Sequence, residues 1–310
     1  MGLFGVHLRL GDCVVGGFPV YHCPAGALDH FCALRHPSTS CVRALFDTVS
    51  VVSWRLVGDR LAHRIYLLGR VGIESDETLV EASDFPGRQG RLAFVFLAAG
   101  LRRVDRHLLA DVLWDEELPD QWISALAAIL SKLRRVLSEA GMDGAAVLDG
   151  RDGSYELRFP SGTWIDLQTA INSLDRAEGL LRRGRASDAW SDAAVASSIF
   201  RRPFLSGESG EWVERMRRDL HEYSVRTFDA LAQVWLALDE PVAALQAAHR
   251  VLDLVPFRES AHGRVMQCHL AAGDRAEAVR VYDRLRQVLE ETMGLSPNAQ
   301  TEELYAKALG

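Results

Sequence analysis

The chain has 310 residues, of which 48% are hydrophobic and 25% are charged, and its net charge is −7 at pH 7. These values are those of a folded protein with room for two domains, and they exclude wholesale disorder. No apolar run reaches the roughly 18 residues of a membrane span, and no basic segment followed by an apolar one opens the chain. We therefore expect a cytoplasmic protein that has no membrane partner.

Residues 1–60 show no sustained period of 2 or 3.6, so no helix or strand is predicted there. They hold four of the five cysteines, which are Cys13, Cys23, Cys32 and Cys41, with histidines interleaved. The gaps are wider than those between paired zinc ligands, and a reducing cytoplasm disfavours disulfides. We expect no metal site. We interpret the segment as a poorly ordered extension, or as translation from a start codon placed too far upstream, and expect it to be dispensable for stability.

The next segment alternates between strand and helix signals. Short, partly alternating apolar runs over residues 65–80 predict a small antiparallel sheet. Pro86 suits the first turn of a helix, and Gly100 is predicted to end that helix in a left-handed conformation. Residues 106–114 predict a second helix, whose inward face includes Leu108.

A third helix is predicted over residues 121–141, with Asp120 as its N-cap. Apolar residues at helical spacing are predicted to face the core: Ile123, Leu126, Ile129, Leu130, Leu133 and Leu137. The opposite face carries small, polar and basic residues: Gln121, Ser124, Ala125, Ala128, Ser131, Lys132 and Arg135. Hydrogen-bond donors and small side chains on such a face fit the major groove of DNA, and the cations can contact its phosphates. The alternative is that cations near the C-terminus of the helix only offset the helix dipole.

Two short strands are predicted over residues 147–159, around the tight turn Arg151-Asp152-Gly153, where glycine allows a positive φ. The net negative charge is not that of a DNA-binding protein taken whole. The bases near this hairpin are clustered, however, and a local cluster can contact phosphates while the rest of the surface stays acidic.

The order of these motifs resembles a known family. PGRQGRL, Leu113-Trp114, the S-K-L-R-R run at Ser131–Arg135 and the G-x-Y hairpin at Gly153–Tyr155 resemble the winged helix-turn-helix of OmpR-type regulators. The remainder resembles the bacterial transcriptional activation domain that follows such a module in Streptomyces antibiotic regulatory proteins.

The resemblance implies a mainly α fold. A winged helix-turn-helix (α+β) that binds DNA would occupy residues 64–160, and an all-α activation domain like tetratricopeptide repeats would occupy residues 166–310. It also implies two partners, which are double-stranded promoter DNA containing direct repeats and RNA polymerase. It further implies self-association through the helical domain and a nucleoid-associated location.

The exposed face of the third helix and the resemblance together define a candidate set of DNA contacts. It consists of Arg88, Trp114, Gln121, Ser124, Ala128, Ser131, Lys132, Arg134, Arg135, Arg151 and Tyr155. The resemblance implies backbone contacts for Arg88 and Trp114, a minor-groove contact for Arg151, and the aromatic position of the wing for Tyr155, which follows Ser154 where the family has glycine. Trp114 is explained equally well as a core residue.

The C-terminal half is helical almost without interruption, and a long helix is predicted over residues 211–238. A turn followed by alanine occurs three times, at residues 184–189, 239–244 and 273–278. Ala244 and Ala278 are 34 residues apart, which is the tetratricopeptide period. We predict that these alanines lie buried where two helices cross closely.

The sequence contains no G-x-x-x-x-G-K-[ST], G-x-S-x-G or H-E-x-x-H motif, so it predicts no enzyme and no cofactor. It favours a sequence-specific DNA-binding transcriptional activator. The alternative is a helical-repeat adaptor whose winged-helix domain no longer binds DNA, and the acidic balance and the alanines on the third helix favour it.

Overall fold

The structure is a computed structural model, and it describes residues 63–100, 102–115 and 117–310. The interpretations of residues 1–60, including the cysteines there, lie outside these residues. The helices and strands below are numbered within the described residues.

The described chain begins with the antiparallel sheet that the alternating apolar residues predict. Its strands are β1 (His63–Tyr66), β2 (Gly72–Ser75) and β3 (Leu79–Val80), and β2 pairs with both neighbours. A fourth strand, β7 (Trp164–Ile165), pairs parallel with β1, so the order is β3-β2-β1-β7. The sheet therefore joins the start of the described chain to the segment that leads into the C-terminal helices.

Helices and a hairpin form the next part of the chain. The helices are α1 (Gly87–Gly100), α2 (Arg106–Trp114), α3 (Trp122–Glu139) and the single turn α4 (Gly144–Val147). The strands are β4 (Val104–Asp105), β5 (Leu148–Arg151) and β6 (Ser154–Leu157), in the order β4-β6-β5. This is a winged helix-turn-helix with the β5–β6 hairpin as its wing, which confirms the predicted fold.

The bounds and faces of these helices differ from the predictions in several places: Pro86 precedes α1, and α3 runs from Trp122 to Glu139 rather than over residues 121–141. Leu108 and Ile123, predicted to face the core, are 41% and 54% exposed. Periodicity predicts which face of a helix is apolar, but only packing decides how far along the helix that face is covered. Gly100 is the last helical residue and is not left-handed, and Gln121 rather than Asp120 precedes α3, without a side-chain cap.

Helices fill the remainder of the described chain. They are α5 (Asp166–Leu181), α6 (Ala186–Phe200), α7 (Glu211–Ala237), α8 (Pro241–Leu254), α9 (Glu259–Ala271), α10 (Arg275–Met293) and α11 (Ala299–Leu309). Consecutive helices pack against each other, and the long helix predicted over residues 211–238 is α7. The mainly α fold class is therefore confirmed.

Two hydrophobic cores hold these elements together. The second core lies within the helical stack, where Ala244 and Ala278 are fully buried, as the 34-residue spacing predicts. The first core is continuous from β1, α1 and α3 into α5, α6 and α7, and it includes Ile65, Leu130 and Phe200. The division into domains at residues 64–160 and 166–310 stays a prediction from sequence, because this core crosses it.

Candidate nucleic-acid interface

Helix α3 is amphipathic, and its apolar face holds it against the first core. Leu126, Leu130, Leu133 and Leu137 are buried. The candidate contacts on the other side of α3 are exposed, namely Gln121, Ser124, Ala128, Ser131, Lys132 and Arg135. The Oγ of Ser124 donates to the carbonyl oxygen of Gln121 at 2.8 Å, while Ala125 is half-buried. The structure thus brings these six candidates onto one surface.

The three cations of α3 differ in their surroundings. The Nε of Arg134 donates to the carbonyl oxygen of Leu148 at 3.0 Å, so this residue joins α3 to the first strand of the wing. Arg135 is 72% exposed and its Nε lies 3.8 Å from Glu139. Lys132 is exposed. Lys132 and Arg135 are therefore available to a ligand, whereas Arg134 is half-buried and has a structural partner.

The wing turn has the geometry that its sequence predicts. Asp152 and Gly153 have φ values of 52° and 74°, so both central residues of the turn are left-handed. Arg151 projects from the turn and is 73% exposed. Tyr155 is half-buried against the first core. The candidates Arg151 and Tyr155 therefore have different surroundings, and of the two only Arg151 is exposed to a ligand.

Charged side chains form a network beside the turn. The Nε of Arg151 lies 3.1 Å from Asp149, and the Nη2 of Arg103 lies 2.6 Å from Asp149 and 3.1 Å from Glu156. The Nη2 of Arg158 lies 2.7 Å from Glu156. Hydrogen bonding to Arg103 lowers the pKa of Asp149, and hydrogen bonding to Arg158 lowers that of Glu156. Both carboxylates are therefore ionised at neutral pH.

The two remaining candidates, Arg88 and Trp114, make contacts away from the exposed face of α3 and the wing turn. The Nε of Arg88 lies 2.7 Å from Glu208, in the loop between α6 and α7, and its Nη2 donates to the carbonyl oxygen of Ser209. Arg91 contacts the same Glu208 at 3.0 Å. Trp114 is half-buried and packs against the first core, in agreement with the core interpretation. Arg88 is 43% exposed but ion-paired, and Trp114 is half-buried, so a DNA contact by either residue stays a prediction.

Two cations that no sequence pattern predicted at the interface, Arg103 and Arg106, lie on the other side of the wing turn. The backbone amide of Arg106 donates to the carbonyl oxygen of Gly153 at 2.9 Å, and the side chain of Arg106 lies against that glycine. Arg103 belongs to the network above. The signal available in the sequence was Asp105, whose side chain accepts from the amide of His107 at 2.7 Å as an N-cap. An N-cap at Asp105 places Arg106 in the first turn of α2.

Two features are absent from the described residues. No group of three His, Cys, Asp or Glu residues there could hold a metal ion. No helix among them is both long enough and apolar enough to cross a membrane.

Comparison with protein families identifies the C-terminal half of the chain. Residues 165–309 match the bacterial transcriptional activator domain. The regulatory protein AfsR of Streptomyces coelicolor is 29% identical over 256 residues, which are 80% of this chain and 24% of AfsR. The transcriptional regulatory protein MoaR1 of Mycobacterium tuberculosis is 24% identical over 225 residues, which are 72% of each chain. This chain thus spans about a quarter of AfsR, and both relatives are named as regulatory proteins.

A solved structure has a similar fold. It is Mycobacterium tuberculosis EmbR in complex with a low-affinity phosphopeptide, with a TM-score of 0.72 and 23% identity. The match covers 80% of this chain and 65% of that one. The similarity shows that the winged helix and the helical stack occur together in another protein.

Proposed function

Since the chain resembles Streptomyces antibiotic regulatory proteins and carries a bacterial transcriptional activator domain at residues 165–309, we propose that it is a DNA-binding transcriptional activator. Helix α3 enters the major groove of promoter DNA, and the wing contacts the adjacent minor groove. The helical stack supports self-association on direct repeats and the recruitment of RNA polymerase. This activity places the protein in the cytoplasm, on the nucleoid.

The observation that carries the proposal is the exposed face of α3 together with the wing. Gln121, Ser124 and Ser131 supply hydrogen-bonding groups for base edges, and Ala128 leaves room for a thymine methyl. Lys132 and Arg135 supply phosphate contacts at the C-terminal half of the same helix. Arg134, which the sequence predicts as a DNA contact, also donates from its Nε to Leu148 and so positions the wing relative to α3.

The alternative is a protein-binding adaptor. The observation that favours it is the pairing of the wing arginines with Asp149 and Glu156, which leaves few uncompensated cations. A protein of this kind would use the helical stack and would have no affinity for duplex DNA.

Selection from a random DNA library, followed by measurement of Kd at several salt concentrations, separates the two functions. We expect Lys132→Ala with Arg135→Ala to abolish binding at physiological salt. At low salt, where residual binding is measurable, the log–log salt slope should fall by about two units, one for each phosphate contact. The circular dichroism spectrum should not change. Arg151→Ala should weaken DNA binding less than the double variant does. Its effect should be largest on sites with a narrow, A·T-rich minor groove.

The chain offers a matched control. Arg182, the C-cap of α5, is 71% exposed and lies 3.9 Å from Glu178 at i,i+4, so its exposure and its ion-pair distance are close to those of Arg135. Lys307 is an exposed lysine near the end of α11. The double variant Arg182→Ala with Lys307→Ala removes the same charge and should bind DNA as the parent does. If the parent binds no DNA even at low salt, the activator proposal fails and the adaptor is favoured.

A further inference from the structure

The outer face of the wing places two carboxylates directly opposite each other. In the β5–β6 pairing, Asp149 is the partner of Glu156. The pairing of β4 with β6 joins Val104 to Tyr155, which puts Arg103 beside Glu156 on the same face. Like charges directly opposite in an antiparallel pair are unfavourable, so this acidic pair (Asp149 and Glu156) requires cations close by.

Three arginines supply those cations. Arg103 contacts both carboxylates, Arg151 contacts Asp149, and Arg158 contacts Glu156. The carboxylate side chains are only 15% and 18% exposed, whereas Arg151 and Arg158 are more than half exposed. The acidic pair is thus covered by guanidinium groups, and these groups are what an approaching ligand meets first.

A DNA phosphate that approaches the wing must compete with the acidic pair for these guanidinium groups. Each arginine already has a carboxylate within 3.1 Å, and both carboxylates stay ionised at neutral pH because their pKa values are lowered. The gain from a phosphate contact is therefore reduced by the loss of an internal ion pair, and by the repulsion between phosphate and carboxylate.

We propose that Asp149 and Glu156 are specificity-determining residues, which weaken the contacts of the wing with DNA phosphates and so suppress binding to non-specific DNA. This inference rests on the proposed DNA-binding function. Non-specific affinity comes almost entirely from phosphate contacts, whereas a specific site also gains base contacts from α3. Weakening the phosphate contacts consequently removes a larger share of the non-specific affinity.

Asp149→Asn and Glu156→Gln test the proposal, because each removes one charge with almost no change in shape. Kd is measured for a random duplex and for a duplex from the selected library, over about 50 to 200 mM salt. Each variant should bind the random duplex more tightly than the parent does. Its salt slope should be steeper by about one unit, a factor of about four across this range. The ratio of specific to non-specific affinity should fall.

Glu222→Gln is the matched control. Glu222 is bound to Arg258 with an Nη2–Oε2 distance of 2.9 Å on the helical stack, so its replacement changes the net charge by the same amount away from the wing. A second test uses the Arg103→Ala with Arg151→Ala background, in which Asp149→Asn should alter the salt slope less than it does in the parent. Circular dichroism and thermal unfolding verify that each variant is folded.

The outcomes separate this inference from the proposed function. If the parent binds DNA and both wing variants bind the random duplex with the parent's Kd and salt slope, the inference is overturned while the activator proposal stands. An equal gain from Glu222→Gln also overturns it, because net charge alone would then explain the effect. If the parent and both wing variants bind no DNA at low salt, both proposals fail. Binding by the wing variants alone would also overturn the inference, which requires that the parent itself binds specific DNA.

Discussion

The carboxylate of Asp166 accepts a hydrogen bond from the backbone amide of Leu67, with an Oδ1–N distance of 2.9 Å. Its other oxygen accepts from the amide of Leu68 at 3.0 Å, and the amide of Leu167 donates to Oδ1 at 2.7 Å. Asp166 is the first residue of α5 and is fully buried. One side chain therefore satisfies the backbone amide of Leu167 at the start of the helical stack and those of Leu67 and Leu68, just after β1. Leu67 and Leu68 precede Asp166 by 99 and 98 residues.

Asp166→Asn should lower the free energy of unfolding by about 1–3 kcal/mol. The asparagine carbonyl can accept from one side only, so its amide group faces a backbone N–H and leaves that donor unpaired. Urea denaturation measures the change. Unfolding at the parent's midpoint would contradict a role for this carboxylate in holding β1 to α5.

Asp166 also makes stability depend on pH. Burial raises its pKa to about 6, against the lowering effects of the three amides and of Arg202. A carboxyl whose pKa is higher in the folded state binds more protons there, so its contribution to stability increases as the pH falls through about 6. Between about pH 7 and pH 5 the parent should gain about 1 kcal/mol relative to Asp166→Asn. Denaturant titrations of both proteins across this range give the difference, and parallel pH curves would refute the prediction.

Ala244→Leu and Ala278→Leu should each lower the free energy of unfolding by about 1–3 kcal/mol, because both alanines are fully buried between helices and a larger side chain overpacks the contact. Ala276, two residues before Ala278 and exposed in α10, provides the control. Ala276→Leu should change stability by less than about 0.5 kcal/mol. Equal denaturation midpoints for all three variants would show that the helices do not cross closely at these alanines.

Two glycine-to-alanine changes should have opposite effects. An added Cβ at Gly144 collides with the carbonyl oxygen of Arg134, so Gly144→Ala should force α4 away from α3 and cost about 1–3 kcal/mol. At Gly263, inside α9, the added Cβ meets Leu304 Cδ1 at an ordinary 3.6 Å. Gly263→Ala should stabilise the protein by up to about 1 kcal/mol, since alanine favours the helix. Thermal unfolding measures the Tm of both variants. A shift of Tm in the same direction for both would contradict the prediction.

Arg134 and Arg135 should respond differently to replacement by alanine. Arg134→Ala removes the hydrogen bond to the carbonyl oxygen of Leu148 and should lower stability by about 1–2 kcal/mol. Arg135→Ala removes only an exposed side chain 3.8 Å from Glu139, and should change stability by less than about 0.5 kcal/mol. Paired denaturation curves compare the two neighbours. Equal losses of stability would mean that Arg134 does not fix the wing to α3.

The sequence by itself determined the element types and most of their faces. Apolar residues at a spacing of three and four predicted the buried side of α3, and Gly153 predicted the turn of the wing, because both signals depend only on local backbone geometry. The 34-residue distance between Ala244 and Ala278 predicted that both alanines are buried, because successive units of a helical repeat bury equivalent positions.

Only the tertiary structure decided which candidate residues are available to a ligand. Arg134 and Arg135 are neighbours with the same charge, yet one is held by Leu148 and the other is exposed. Arg88 is bound by Glu208, 120 residues later in the chain. Hydrogen bonds and ion pairs depend on distances between atoms that the fold brings together, and local sequence patterns contain no information about such distances.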